Sequence, residues 1–264
     1  MEILYHLSII VTSIILIFAK TIANFVDSGT DPEIKKPFYC QWMRYWRKSQ
    51  RLRKYPKFAL IAAGLDSLPG TAAEILDDNI RRTICPDKLT TKEWIEIITL
   101  AHSLDLKTTS TIMLGHIEQP EHVAAHLEIL RHIQKSTRGF TEFIPLFFVP
   151  QKTALAKKFN INEMLTIKHV MKLFALSRIY FNGYIDNIQS SWPKLGLKGA
   201  VDCLAAGVND LGGTLYSENI TRCAGGSHGQ SVSLNDFKSS ILGKGKIPRQ
   251  RDTLYNLALP DKNN

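Results

Sequence analysis

After residue 57 the chain alternates between two hydrophobic periods, and that alternation restricts it to one class of fold. Residues 63–69, 108–114, 141–149, 186–192 and 208–215 read as strands. Most are rich in β-branched or aromatic residues and are followed by polar or glycine-rich turns. Helical patterns lie between them at 92–104, 121–134, 162–181 and 197–206, and one at 234–242 closes the series. The clearest is 92–104, where Trp94, Ile95, Ile97, Ile98 and Ala101 form an apolar stripe behind a Thr90/Glu93 capping box. Strand and helix in alternation imply parallel strands joined by right-handed crossovers, an α/β fold. Five such units fit part of a (β/α) barrel or an open doubly wound sheet. A closed barrel needs eight strands and about 250 residues, more than remain after residue 57.

Residues 1–57 differ in kind. Residues 7–19 carry no charge and Lys20 is the only one before Asp27, so 7–26 is just long enough for a membrane helix. From Lys35 to Lys57 there are nine Lys or Arg and no acid, interleaved with Phe38, Tyr39, Trp42, Tyr45 and Trp46. A solvated helix leading into the domain, a membrane-interface anchor and a nucleic-acid site all suit that composition. The formal charge of +9 is concentrated here, with +6 in residues 1–57 and +3 in 58–264, so no nucleic-acid partner is expected of the larger part. An apolar fraction of 44% excludes a disordered chain, and four scattered cysteines (40, 85, 203, 223) exclude a disulfide scaffold.

In α/β folds of this kind chemistry is expected at the carboxyl ends of the strands. Candidates there are Gly115–His116–Ile117–Glu118, then Gln189 to Lys194, then Asn209, Asp210 and the Gly212–Gly213 pair before Thr214. The glycines admit a ligand close to the backbone. Glu142 lies inside an apolar strand, where an unpartnered carboxylate would be costly, so an interior polar role is expected of it. His122 and His126 have H-x-x-x-H spacing, but no general-base glutamate or third ligand accompanies them, and solvated or capping histidines are expected.

Seven motifs occur in order: SLPGTAAEILDD (67–78), TTSTIMLGHIE (108–118), GFTEFIPL (139–146), DNIQSSWPKLG (186–196), NDLGGTLYSENITR (209–222), GGSHGQ (225–230) and PRQRDTLY (248–255). Together they resemble the tyrosine-coupling subunit of FO synthase, a radical S-adenosylmethionine (SAM) family of deazaflavin biosynthesis. The resemblance implies the last five or so units of a partial (β/α) TIM-type barrel over 58–264. It also implies a cytoplasmic enzyme, membrane-associated if 7–26 is an anchor. It implies a 4Fe-4S cluster and SAM as cofactors, and coupling of a tyrosine-derived hydroxybenzyl group to 5-amino-6-(D-ribitylamino)uracil. A ring-closing partner subunit or fused domain completes the product in that family.

Further expectations follow from the same resemblance. Glu74 would be a SAM or substrate contact, against a reading as a first-turn glutamate favoured by the helix dipole. His116 and Glu118 would sit in the barrel mouth. Glu142 would hold the uracil or the tyrosine amine, and Gln189 and Trp192 would read a heterocycle unless Trp192 is core. Asn209, Asp210, Gly212, Gly213 and Thr214 are the strongest ligand candidates, and His228 and Gln230 suit general-acid or ribityl contacts. Arg249 and Arg251 would tie down the carboxyl terminus. The cluster spacing C-x-x-x-C-x-x-C and the glycine-rich SAM stretch do not occur, so no metal ligand is assigned. Arg138 stands where a glycine is usual, and Pro193 where a β-branched residue is usual. Three readings accommodate these departures: half of a split enzyme, a non-catalytic or membrane-tethered remnant, and a gene-modelling artefact in residues 1–57.

Overall fold

The computed structural model describes residues 67–70, 73–215, 220–228 and 231–258, together with the backbone of 2–7. The apolar and basic stretches at 8–57, Cys40 and the first part of the 63–69 strand lie outside these. Among the described residues the strands are β1 (Glu2–Leu7), β2 (Ser67–Leu68), β3 (Lys107–Leu114), β4 (Phe140–Phe147), β5 (Asn187–Ile188), β6 (Asp210–Thr214) and β7 (Ile247–Arg251). Helices are α1 (Asp78–Ile84), α2 (Thr91–Ser103), α3 (Pro120–Thr137), α4 (Ala154–Phe159), α5 (Ile167–Tyr180), α6 (Trp192–Asp202), α7 (Ile220–Cys223) and α8 (Leu234–Leu242). One sheet runs β2-β3-β4-β5 and another β6-β1-β7, and a bridge from Gln189 to Asp210 links β5 to β6. Every strand pair between them is parallel, as the alternation requires. The backbone at 2–7 is a strand, and the helix expected at 7–26 lies, beyond Leu7, outside the described residues.

Alternation along β4 separates the two faces of the sheet. Phe143 and Phe147 point to the helices, with ring centroids 5.0 Å from Phe181 and 5.9 Å from Phe174 of α5. Glu142, the residue before Phe143, faces the other way, paired in register with Thr109 and Asn187. The core therefore lies between sheet and helices, filled by Trp94, Leu130, Phe143, Phe174, Ile188 and Phe237.

Helix ends follow local chemistry. Thr90 and Glu93 form the expected capping box of α2. The strand expected at 186–192 stops at Ile188, and Trp192 instead opens α6, because Pro193 suits a first helical turn and cannot serve a ladder. Gly196, at φ +71°, kinks α6 near its middle, and Cys203–Ala206 finish the region as a 3-10 turn. Arg138 ends α3 at φ +52°, the left-handed cap that accounts for a glycine being usual there. Its guanidinium donates to Gly183 O at 2.9 Å.

Gly70 and Glu74 are fixed to β3. Gly70 N–H donates to Thr109 Oγ1 (2.8 Å), Thr111 Oγ1 donates to Gly70 O (3.1 Å), and Met113 N–H to Glu74 O (2.7 Å). A Cβ at Gly70 would fall 1.5 Å from Thr109 O, so only glycine fits this approach. His126 of α3 completes the seam: Leu76 N–H donates to its Nδ1 (3.0 Å) and its Nε2 donates to Thr111 O (3.1 Å). It is fully buried, which corrects the expectation of a solvated or capping residue. His122 does act as a cap, its Nδ1 accepting from Gln119 N–H at 2.9 Å.

Candidate functional site

Opposite the helices, the sheet carries a buried ionic cluster. Asp210, the first residue of β6, is fully buried, and its Oδ2 accepts from Arg251 Nε at 2.5 Å. Its Oδ1 accepts from Gly212 N–H at 2.7 Å. Glu142, 4% exposed, lies 3.5 Å from Arg251 Nη2 through its Oε2, which also accepts from Gln189 Nε2 at 3.0 Å. One guanidinium thus serves two carboxylates unequally. Burial and the negative charge of Asp210 push Glu142 up to about 7, against the opposing pull of Arg251. Burial also raises Asp210, although Arg251 and the Gly212 amide act against it.

A turn closes over this cluster. Asp252 Oδ1 accepts from Leu254 N–H (2.8 Å) and Asn256 N–H (2.9 Å), and Arg251 Nη1 donates to Asp252 O (3.0 Å). The turn holds Tyr255 at φ +67°, its ring 4.0 Å from the Arg251 guanidinium. Burial raises the phenol further above its ordinary range. Arg251 and Tyr255 are the residues that sequence reasoning missed, since Arg251 was expected only to tie down the terminus. Two acids in apolar strands demand a buried cation, and PRQRD was the motif left to supply it.

Gln189, Asp210 and Gly212 share this face. Gly212 has φ +70°, and a Cβ there would meet Gln189 Oε1 at 3.0 Å. Thr214 is 7% exposed, and its Oγ1 has no hydrogen-bond partner among the described residues. Gly213 is spent on structure, its carbonyl accepting from Trp192 Nε1 at 3.0 Å. Trp192, 2% exposed, packs edge-on against Phe237. It is core, not a surface that reads a heterocycle.

The other expected residues lie elsewhere. Asn209 is committed to the sheet: its Oδ1 accepts from Ile188 N–H and Arg178 Nη2, both at 2.8 Å, and its Nδ2 donates to Asn187 (3.3 Å). Asn209→Ala is expected to cost about 1–3 kcal/mol, because the buried Ile188 amide loses its acceptor. Denaturant unfolding checks this; unchanged stability would return Asn209 to the ligand candidates. Glu74 is not in a helix but in a φ +47° bend, ion-paired with Lys88. Glu118 builds its own loop, accepting from Gly115 N–H (2.6 Å) and His116 N–H (2.9 Å). Burial would raise its carboxyl, but the His116 ring and these two amides prevail and hold it at about 2. His116 Nε2 donates to Met113 O at 3.0 Å, so this pair has a packing role that the sequence did not reveal. His228 is exposed, lying against Gly196 in the kink of α6, and Gln230 lies outside the described residues.

The donor set for an iron–sulfur cluster does not fit. Among the described residues, no three His, Cys, Asp or Glu side chains are grouped to hold a metal ion. Cys203 is buried, and that burial pushes its thiol up to about 11, whereas a cluster ligand is a thiolate. Cys223 is exposed on α7 and Cys85 follows α1.

The described residues thus form a parallel α/β fold with helices on one face of the sheet and a buried, unevenly shared ionic cluster on the other. Residues 137–263 match the family model described as the CofH/MqnC C-terminal region. The chain is a homologue of the CofH-type 5-amino-6-(D-ribitylamino)uracil--L-tyrosine 4-hydroxyphenyl transferases and matches their carboxyl-terminal half. It is 50% identical to the protein of that name from Methanococcus maripaludis strain C5 over 194 residues, 74% of this chain and 54% of the relative. The transferase 1 of Methanosarcina mazei is 48% identical over 198 residues, 74% of this chain and 53% of the relative. The Methanothermobacter thermautotrophicus protein is 49% identical over 193 residues, 73% of this chain and 53% of the relative. The chain spans about half the length of these curated relatives. Among solved structures, methylornithine synthase (PylB) superposes with a TM-score of 0.49 at 16% identity, covering 69% of this chain and 51% of that one. No helix among the described residues is long and apolar enough to cross a membrane.

Proposed function

We infer that residues 67–258 form the substrate-facing part of a CofH-type transferase, the carboxyl-terminal portion of a radical SAM (β/α) barrel. The whole enzyme would couple a tyrosine-derived 4-hydroxybenzyl group to 5-amino-6-(D-ribitylamino)uracil on the way to a deazaflavin. The observation that carries this reading is the identity of about half over 194 residues, together with the family match over 137–263, which contains the buried Glu142–Arg251–Asp210 cluster. In such an enzyme the cluster-bound SAM would supply a radical, and this chain's own residues would do the rest. Gln189 offers an amide to a pyrimidinedione edge, and Thr214 offers a hydroxyl to a ribityl or ring oxygen. Glu142 and Asp210 set the charge of the face. The cluster thiolates would come from sequence outside residues 1–264, and a ring-closing subunit would take the product.

A chimera tests this. Residues 67–264 replace the matching half of the M. maripaludis relative, which keeps that protein's own cluster-bearing half. Coupled product from the anaerobically reconstituted chimera is the expected result, with a Gln189→Ala chimera slower by about 10–100-fold. The cysteine spacing favours a second reading, a binding protein without catalysis. A folded but inactive chimera that still binds the ribitylaminouracil by calorimetry would select that reading. Absence of both activity and binding would remove both.

A further inference from the structure

Two buried carboxylates, Asp210 and Glu142, compete for the single guanidinium of Arg251. Asp210 receives the closer contact, Nε to Oδ2 at 2.5 Å, and a second bond from Gly212 N–H at 2.7 Å. Glu142 receives Arg251 Nη2 only at 3.5 Å and otherwise a neutral amide, Gln189 Nε2 at 3.0 Å. Among the described residues, the charged or titratable groups that act most strongly on Glu142 are Arg251 from β7, Asp210 from β6 and Tyr255 from the turn after β7. Its register partners on β3 and β5, Thr109 and Asn187, are neutral. One cation therefore balances one anion, and a second buried negative charge would stand without compensation.

We propose that Glu142 is a neutral carboxylic acid in the folded protein and that Arg251, committed to Asp210, is the positioning residue that keeps it so. The inner face then offers a ligand one acidic proton donor, which selects for a carbonyl or similar acceptor oxygen at that point. Its use by a substrate rests on the functional reading above; the protonation state itself does not.

Infrared spectroscopy of the ligand-free full chain tests the state directly. At about pH 6 ordinary carboxyls are ionised, so a carboxylic C=O band reports an abnormal acid. That band is expected in the wild type and absent in Glu142→Gln. It is also expected to vanish in Asp210→Asn although Glu142 is intact, because Arg251 is then free to ionise it. No band in the wild type, or a band that persists in Asp210→Asn, overturns the proposal. Should Asp210→Asn not fold, melting curves decide with the near-isosteric Glu142→Gln alone. The wild-type Tm should fall relative to Glu142→Gln as pH rises from about 6 to 8, and a constant difference overturns the proposal. Both measurements omit substrate, so an inactive chimera with an intact band would defeat the functional reading and not this one.

Discussion

Arg251→Ala is expected to destabilise the protein by about 3–5 kcal/mol, read as a fall in the urea midpoint with little change in slope. The size comes from what remains after truncation. Asp210 is fully buried and would keep one backbone donor but no counter-charge. The carbonyl of Asp252 would lose its guanidinium donor, and Tyr255 would lose the cation beneath a ring held in a left-handed backbone conformation. Because the loss is mainly an uncompensated charge, Asp210→Asn in the Arg251→Ala background should recover about half of it. Arg251→Met, which restores volume but not charge, should recover much less. Equal rescue by Met would mean that packing, not the ion pair, holds β7 in place.

The elements most legible from sequence were those with one strong period and a capping signal. The helix expected at 92–104 is found at Thr91–Ser103, and that expected at 234–242 at Leu234–Leu242. Sequence was weakest where tertiary pairing decides. Ile247–Arg251 carries a proline and three polar or charged residues, so nothing local marks it as a strand, yet it lies parallel to β1. For the site, apolar context exposed Glu142, and neighbouring glycines pointed to Asp210. Arg251 was hidden because its value depends on those two acids being brought 109 and 41 positions back along the chain to meet it. Asn209 and Trp192 misled for the opposite reason. Amides and indoles satisfy buried backbone as readily as they read ligands, and spacing does not distinguish the two uses.

Stability should fall on mild acidification by about 1.4 kcal/mol per pH unit between pH 6 and 5, the slope for one net proton. Two histidines drive the loss. Burial takes His126 down to about 3, although its bond to Thr111 O works the other way. Protonating its Nδ1 would set N–H against the Leu76 N–H that it now accepts. Burial, aided by the charge of Lys107, takes His102 down to about 4, between the hydroxyls of Thr137 (2.7 Å) and Thr108 (2.9 Å). Both values lie below the ordinary 6.5, so the unfolded chain takes up two protons that the folded protein refuses. Their contribution is complete above that pH and is lost as pH falls. Glu142 has the opposite sign: at about 7 folded, against 4.5 ordinarily, it binds its proton in the folded state first. It therefore returns about 1.4 kcal/mol per pH unit across the same window. Glu142→Gln removes that return, and the variant's slope should steepen to about 2.7 kcal/mol per pH unit. Urea titrations at half-unit intervals measure both slopes. Parallel slopes for the two proteins would show that Glu142 ionises in the ordinary carboxylate range and that the inner face carries an unbalanced negative charge.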